Sequence, residues 1–356
     1  MKTNHNFYST LAFNLAEKNL GKTNYNPSVG CIVVKNNTVI SSGVTSLNGR
    51  PHAEFNALDK KINFKGARIY VTLEPCVHYG VTPPCINIIK RKKIKNVFFS
   101  VNDPDLRTHK KAEKLLKRNN IKCKQIRLNN NFYRSYIYNK KKELPLIDAK
   151  IAISKDFFTI NKKSKRITNG RSEKITHLLR SKYDSIISTS KSINEDNSLL
   201  NCRLEGLSTN QPDLIVIDRE LKLKRNLKLL KITKHRKTLI FTKSNDKKKI
   251  SFFKKKGCKI IKIQNLDDKK DFLNFLKILY KIGKRRILIE SGLTFLSKLL
   301  KFDLINELFL FRSSIYLKKN GVNNISSSFL KSFSLKKKIN VNLDNDELYN
   351  IKVKNV

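Results

Sequence analysis

Apolar positions along the chain switch repeatedly between helical and strand spacing. Phe7, Leu11 and Leu15 recur at helical intervals with Ala12 and Ala16 beside them, which predicts a helix over residues 6–18, stopped near Gly21. The turn residues Asn24-Tyr25-Asn26-Pro27-Ser28 lead into a buried strand at 29–34, and Asn36-Asn37 turns the chain back through a second strand at 38–44. Pro51 suits the first position of a helix, where its missing N–H has no partner to lose, and this puts His52 and Glu54 in the first turn. A strand at 67–73 follows, then a proline-rich loop ending in Pro83-Pro84, which opens a helix with Cys85 near its N-terminus. Further strands at 96–101 and 121–126 flank a helix at 109–119. Such alternation predicts an α/β sandwich.

The charged stretch Lys140-Lys141-Lys142-Glu143-Leu144-Pro145 reads as a linker, dividing the chain into domains 1–144 and 145–356. Beyond it, strands are predicted at 146–154, 185–188, 213–218, 238–241 and 259–263. Ile175, Leu178 and Leu179 mark an amphipathic helix over 170–182, and Phe272, Phe275, Leu276 and Leu279 mark another. A buried strand at 286–290 is turned by Ser291-Gly292-Leu293-Thr294 into a helix ending near Leu300. Strand, glycine turn and helix aim backbone N–H groups at a phosphate, although many such turns bind nothing. No Gly-x-Gly-x-x-Gly occurs, so a Rossmann domain is not indicated.

A length of 356 residues fits two domains, and 39% hydrophobic with 9% aromatic residues suffices for ordinary cores. No apolar run reaches the roughly 18 residues of a membrane span. The start, Met1-Lys2-Thr3-Asn4-His5-Asn6, lacks the apolar stretch of a secretory leader, so a cytoplasmic protein without membrane partner is expected. The six cysteines are scattered, which suits reduced thiols rather than a disulfide framework. A formal charge of +47 raises a nucleic-acid surface as one reading. The lysines, however, come in short runs through both halves of an Asn- and Ile-rich chain, so compositional drift is preferred and no nucleic-acid partner is expected. The same charge should attract phosphorylated metabolites. Self-association stays open.

Chemistry concentrates in Pro51-His52-Ala53-Glu54 and in the stretch from Glu74-Pro75-Cys76 to Pro83-Pro84-Cys85. A lone His or Cys is more often structural. Here one imidazole and two thiols make a ligand set for one catalytic zinc, with the fourth tetrahedral position left for water. Glu54, two residues after the histidine, can move protons to and from that water. A helix start at Cys85 favours the thiolate that a metal needs. The order His-x-Glu then Pro-Cys then Cys is that of zinc deaminases, with eight residues between Cys76 and Cys85 instead of two. His78, inside that loop, reads as a pocket-lining or solvated side chain.

With Asn26-Pro27-Ser28-Val29-Gly30-Cys31, His52-Ala53-Glu54, Thr72-Leu73-Glu74-Pro75-Cys76 and Thr82-Pro83-Pro84-Cys85 in place, the first half resembles the deaminase half of the bifunctional deaminase–reductase family of riboflavin biosynthesis. The resemblance implies a cytidine-deaminase-like α/β/α sandwich followed by a dihydrofolate-reductase-like α/β domain. It gives zinc to His52, Cys76 and Cys85, the proton shuttle to Glu54, and contacts with the pyrimidine or its ribose to Asn26 and Asp103. Val81 stands where the family usually has a basic residue thought to meet the substrate phosphate, and Arg107 or Lys110 is the candidate substitute.

In the second half Lys150-Ile151-Ala152-Ile153-Ser154-Lys155-Asp156, Ile167-Thr168, His177-Leu178-Leu179-Arg180, the stretch from Asp196-Asn197-Ser198 to Cys202-Arg203, and Glu290-Ser291-Gly292 follow the family in order. By that similarity Arg180 and Arg203 clamp the ribose phosphate, while Ser164, Leu200 and Glu290 touch the substrate. NADPH falls to Ala152, Arg166, Ser192, Asp196, Arg219 and the turn Gly292-Leu293-Thr294. Phe157, Arg166 and Ser198 depart from the usual glycine, tryptophan and proline, so a weakened reductase is one expectation. The resemblance implies zinc-dependent deamination of a phosphoribosylated diaminopyrimidinone, then NADPH-dependent reduction of its ribosyl group. Two other readings compete: a zinc deaminase acting on a base in RNA with a degenerate C-terminal domain, and a basic binding protein with a relic site.

Overall fold

The structure is a computed structural model and describes residues 4–128, 131–164, 166–207, 211–333 and 335–353. The chain forms two compact units, Met1–Glu143 and Leu144–Val356. No helix among the described residues is long and apolar enough to cross a membrane.

In the first unit, α1 (His5–Glu17) precedes the hairpin β1 (Gly30–Lys35) and β2 (Thr38–Val44), and α2 (Ala53–Leu58) leads to β3 (Arg68–Leu73). Then come α3 (Cys85–Arg91), β4 (Asn96–Val101), α4 (Ala112–Lys117), β5 (Lys122–Gln125) and α5 (Arg134–Lys142). The sheet order is β2-β1-β3-β4-β5, with β1 antiparallel to both neighbours and β3, β4 and β5 parallel. Strand alternation sends Cys31, Val33, Ile69, Val71, Val97 and Phe99 into one core with Ala57, Leu58 and Ile89 of the helices. Ile32, Val34, Tyr70 and Phe98 face the other way, against Tyr8 and Ala12 of α1. Helices therefore cover both faces, and the α/β/α sandwich follows. Two glycines permit the close packing. A Cβ on Gly30 would lie 1.9 Å from the Ala12 carbonyl oxygen, and one on Gly43 would lie 2.4 Å from backbone of α2.

Three local expectations need correction. Pro51 is not the first helical residue: His52 is the N-cap of α2, with extended backbone, so Pro51 lies outside the helix. The helix expected at 109–119 shrinks to Ala112–Lys117, because buried Glu74 captures the N–H groups of Lys110 and Ala112. Lys140–Lys142 are no linker but the last turn of α5, and Glu143 ends that helix in left-handed conformation (φ 53°).

The second unit begins with β6 (Leu146–Ile153) and the short β7 (Ile160–Asn161), then α6 (Gly170–Ser181), β8 (Ser185–Thr189), α7 (Ser190–Asp196) and β9 (Asp213–Ile217). It continues through β10 (Thr238–Thr242), α8 (Lys247–Lys255), β11 (Cys258–Lys262), α9 (Lys269–Lys281), β12 (Arg286–Ile289) and α10 (Leu293–Lys301). The chain closes with β13 (Glu307–Arg312), β14 (Gly321–Val322), α11 (Ser327–Lys331) and β15 (Glu347–Lys352). Eight strands order as β11-β10-β9-β8-β12-β6-β13-β15; all neighbours are parallel except β13 with β15. Parallel strands buried on both faces read as continuous apolar runs, as in Leu214-Ile215-Val216-Ile217 and Ile287-Leu288-Ile289. Alternate residues feed two cores, one holding Ile215, Ile217, Ile287 and Ile289, the other Leu214, Val216 and Leu288.

Candidate active site

Three elements bring the first site together. His52 caps α2, Cys76 lies just past the C-terminal end of β3, and Cys85 is the first residue of α3. Their ligand atoms all lie within 4.8 Å of one another. His52 Nδ1 is 3.6 Å from Cys76 Sγ and 3.4 Å from Cys85 Sγ. Tetrahedral zinc with Zn–N of about 2.05 Å and Zn–S of about 2.3 Å requires N···S edges of about 3.6 Å. The residues fit the ion. Cys76 is held toward the thiolate, first by the Cys85 thiol and then by His52 and by the Cys85 N–H at 3.2 Å. Sharing between the two sulfurs pushes the Cys85 thiol up.

Glu54, in the first turn of α2, is 4% exposed. Burial pushes its carboxyl up to about 7, and the negative Cys76 sulfur adds to the rise. A carboxyl in that range suits proton transfer near neutral pH. It opens on a cavity of about 240 Å³ that also contains Asn26, His52, Cys76, His78 and Asp103. Asn26 donates to the Gly49 carbonyl at 2.8 Å. Asp103, just beyond β4, accepts from the Asp105 N–H at 2.9 Å and from Tyr136 at 3.1 Å. Burial raises the Asp103 carboxyl to about 6. His78 stays off the metal triad and bonds to Thr108 Oγ1 at 3.0 Å.

Residues not singled out from the sequence fix this arrangement. Glu74 accepts three backbone N–H groups, from Asp103 (3.1 Å), Lys110 (3.0 Å) and Ala112 (3.0 Å), and so holds the segment after β4. Tyr133, Tyr136 and Lys140 share one face of the α5 region and reach the Ser28 carbonyl, Asp103 and Asp105. The pairs are too distant in sequence for any local pattern to show them; only the carboxylate of Glu74, inside the Leu-Glu-Pro-Cys motif, could have been flagged. Val81 is 86% exposed at the cavity wall. Arg107 lines the same cavity, but its guanidinium pairs with Asp105 at 2.6 Å. Lys110 is absent from that lining.

In the second unit, a cavity of about 870 Å³ lies over the C-terminal ends of β8, β9 and β12. It is lined by Ser164, Arg180, Leu200 and Glu290 of the expected substrate set. Of the expected cofactor set it takes in Ala152, Ser192, Asp196 and Arg219, with Gly292, Leu293 and Thr294 at its edge. Arg166 and Arg203 are not brought to it; both guanidinium groups lie by Glu173 of α6, at 3.5 and 3.2 Å. Arg180 is not a free clamp either: it forms a buried fork with Glu290, Nε to Oε1 at 2.6 Å and Nη2 to Oε2 at 2.9 Å. The features for a pyridine nucleotide are present. Gly292 caps α10 without a side-chain bond, the buried Ser291 hydroxyl has no partner among the described residues, and Lys191, Lys222 and Lys298 add positive lining. A large cavity with glycine-capped helix end and cationic wall suits a phosphate-bearing cofactor.

A buried carboxylate beside a His-Cys-Cys ligand set, and a separate parallel sheet carrying a nucleotide-sized cavity, define a zinc hydrolytic deaminase joined to a reductase. Residues 2–101 match the cytidine and deoxycytidylate deaminase zinc-binding region, and residues 145–342 match the RibD C-terminal domain. The riboflavin biosynthesis protein RibD of Buchnera aphidicola is 33% identical over 328 residues, 86% of each chain. Among solved structures, Acinetobacter baumannii RibD aligns over 98% of both chains with a TM-score of 0.81 and 25% identity. A diaminohydroxyphosphoribosylaminopyrimidine deaminase/5-amino-6-(5-phosphoribosylamino)uracil reductase from Thermotoga maritima aligns with a TM-score of 0.80 and 26% identity, over 98% and 99% of the two chains. The chain belongs to the RibD family, the bifunctional zinc-dependent deaminase and NADPH-dependent reductase of riboflavin biosynthesis. The alternative of an RNA-base deaminase with a degenerate second half has no support in these matches.

Proposed function

We propose that the first unit deaminates 2,5-diamino-6-(5-phosphoribosylamino)pyrimidin-4(3H)-one and that the second reduces the ribosyl group of the product to a ribityl chain. The observation that carries this is the edge-matched triad of His52, Cys76 and Cys85 with Glu54 buried beside it. Zinc held there would supply the Lewis acidity that makes water nucleophilic at neutral pH. Glu54 takes a proton from the attacking water and returns it to the nitrogen, which leaves as ammonia. Asn26 and Asp103, which line the same cavity as Glu54, orient the pyrimidine and its ribose. In the second unit, Ser164, Leu200 and Glu290 contact the substrate while Ser192, Asp196, Arg219 and the Gly292 turn hold NADPH, which supplies the hydride. Each unit contains its own site, so the division after Glu143 separates two activities within one cytoplasmic enzyme.

The test follows the substrate by mass with and without NADPH, expecting about one mass unit gained per deamination and about two per reduction. Glu54→Gln should retain one zinc per chain and lose about 10²–10⁴-fold in deamination. Turnover of that variant at the unaltered rate would remove Glu54 from the mechanism.

A further inference from the structure

Three cationic side chains line the deaminase cavity: Arg50, Arg107 and Lys140. Two of them share one counter-charge. Asp105 takes Arg107 at 2.6 Å and Lys140 at 2.9 Å on the same carboxylate. Those contacts hold the Asp105 carboxyl well below the usual carboxylate range, so Asp105 stays ionised beside both cations throughout the physiological range. Arg50 differs. No carboxylate pairs with it among the described residues; its Nη1 donates to Thr82 Oγ1 at 2.5 Å and lies 3.4 Å from His52 Nε2. Its other terminal nitrogen lies beside Gly80, where a Cβ would stand 3.5 Å away. The imidazole places this guanidinium on the side opposite the sulfurs, because His52 meets Cys76 and Cys85 through Nδ1 and Arg50 through Nε2. The neighbouring Val81 offers no charge of its own.

From this charge balance we infer that Arg50 is the specificity-determining residue of the deaminase cavity, gripping the phosphate of its substrate, with Thr82 holding the guanidinium in place. The inference deepens the proposed function and rests on its reading that the substrate is phosphorylated. A guanidinium has a fork that matches two phosphate oxygens, and Arg50 spends only one donor on Thr82. Arg107 and Lys140 are already anchored on the Asp105 carboxylate, whereas Arg50 has no carboxylate partner among the described residues.

The experiment measures kcat and KM for deamination of the phosphorylated substrate and of its dephosphorylated form, by the unaltered chain and by Arg50→Gln and Arg50→Lys, with zinc per chain determined for each. Arg50→Gln should raise KM for the phosphorylated form by about ten- to hundredfold, leave kcat within about threefold, and leave the dephosphorylated form unaffected. Inorganic phosphate should compete with substrate in the unaltered chain and not in Arg50→Gln. Arg50→Lys, which keeps the charge without the fork, should recover part of the lost affinity, and it decides the matter if Arg50→Gln fails to hold zinc. An unchanged KM, or equal losses on both substrates, overturns the assignment to Arg50 alone. Failure of the unaltered chain to prefer the phosphorylated form overturns the substrate reading beneath it.

Discussion

Arg180→Met is the most informative change in the second unit. Arg180 and Glu290 have side chains 11% and 8% exposed and are joined by both arms of the guanidinium, while Arg180 Nη1 donates to the Asn201 carbonyl at 3.0 Å. Removing the arginine strands a buried carboxylate, while the Asn201 carbonyl keeps its bond with His177 Nδ1 at 2.9 Å. Loss of one partner of a buried pair costs about 3–5 kcal/mol, and the positive field of Lys150 on Glu290 puts the expected loss toward the lower end. Burial pushes the Glu290 carboxyl up, but Arg180 outweighs it and holds the carboxyl below its ordinary value. Glu290 therefore stabilises the unaltered fold above the ordinary glutamate range, and that contribution is lost as pH falls through the lowered value. In Arg180→Met burial prevails and the sign reverses: the variant should gain stability relative to the unaltered chain as pH is lowered from 7 to 5. Hydrogen exchange of amides in β8 and β12 reads the second unit alone. Replacing both residues, in Arg180→Met with Glu290→Met, should restore stability to within about 2 kcal/mol, because apolar substitutes of similar volume remove the stranded charge. A loss under about 1 kcal/mol in the single variant, or additive losses in the double, would refute the reasoning.

The remaining predictions concern the first unit. Glu74→Gln keeps one acceptor oxygen for Asp103 and Lys110 but turns an amide NH₂ toward the Ala112 N–H; one bond is lost and two buried donor groups face each other, for about 2–4 kcal/mol in urea unfolding, and a change below 1 kcal/mol would contradict the role. Asp103, raised to about 6 by burial, is ionised above that pH, so KM for deamination should rise as pH falls through 6. Its raised value means that its contribution to folding is fullest below about 4 and is lost as pH climbs through 6. Tyr136→Phe removes a donor to the carboxylate and should move the KM inflection to higher pH; an inflection that stays in place would detach Tyr136 from Asp103.

Motif and period made the candidate ligand set His52, Cys76 and Cys85 and most of the strands legible, because motif order and apolar alternation are local properties. What escaped depends on distant partners. Residues 140–142 look like linker sequence, and their helix is justified by Tyr133, Tyr136 and Lys140 reaching residues 28, 103 and 105. The polar segment 190–196 has no apolar period to mark it; it is α7, whose N-cap Thr189 accepts from the Ser192 N–H. Leu308-Phe309-Leu310-Phe311 has the apolar run of a buried strand, yet its place between β6 and β15 depends on residues 146–153 and 347–352. Arg180 was visible as a basic residue on a helix, but its engagement by Glu290, 110 positions away, was not.

X-ray absorption at the zinc edge on the purified chain, with zinc content measured in parallel, tests the centre of this account. One zinc per chain should appear with one nitrogen ligand near 2.05 Å, two sulfurs near 2.3 Å and one further light atom. Absence of zinc, or a shell of four sulfurs or of oxygens alone, would contradict the assignment of His52, Cys76 and Cys85 and the deamination built on them.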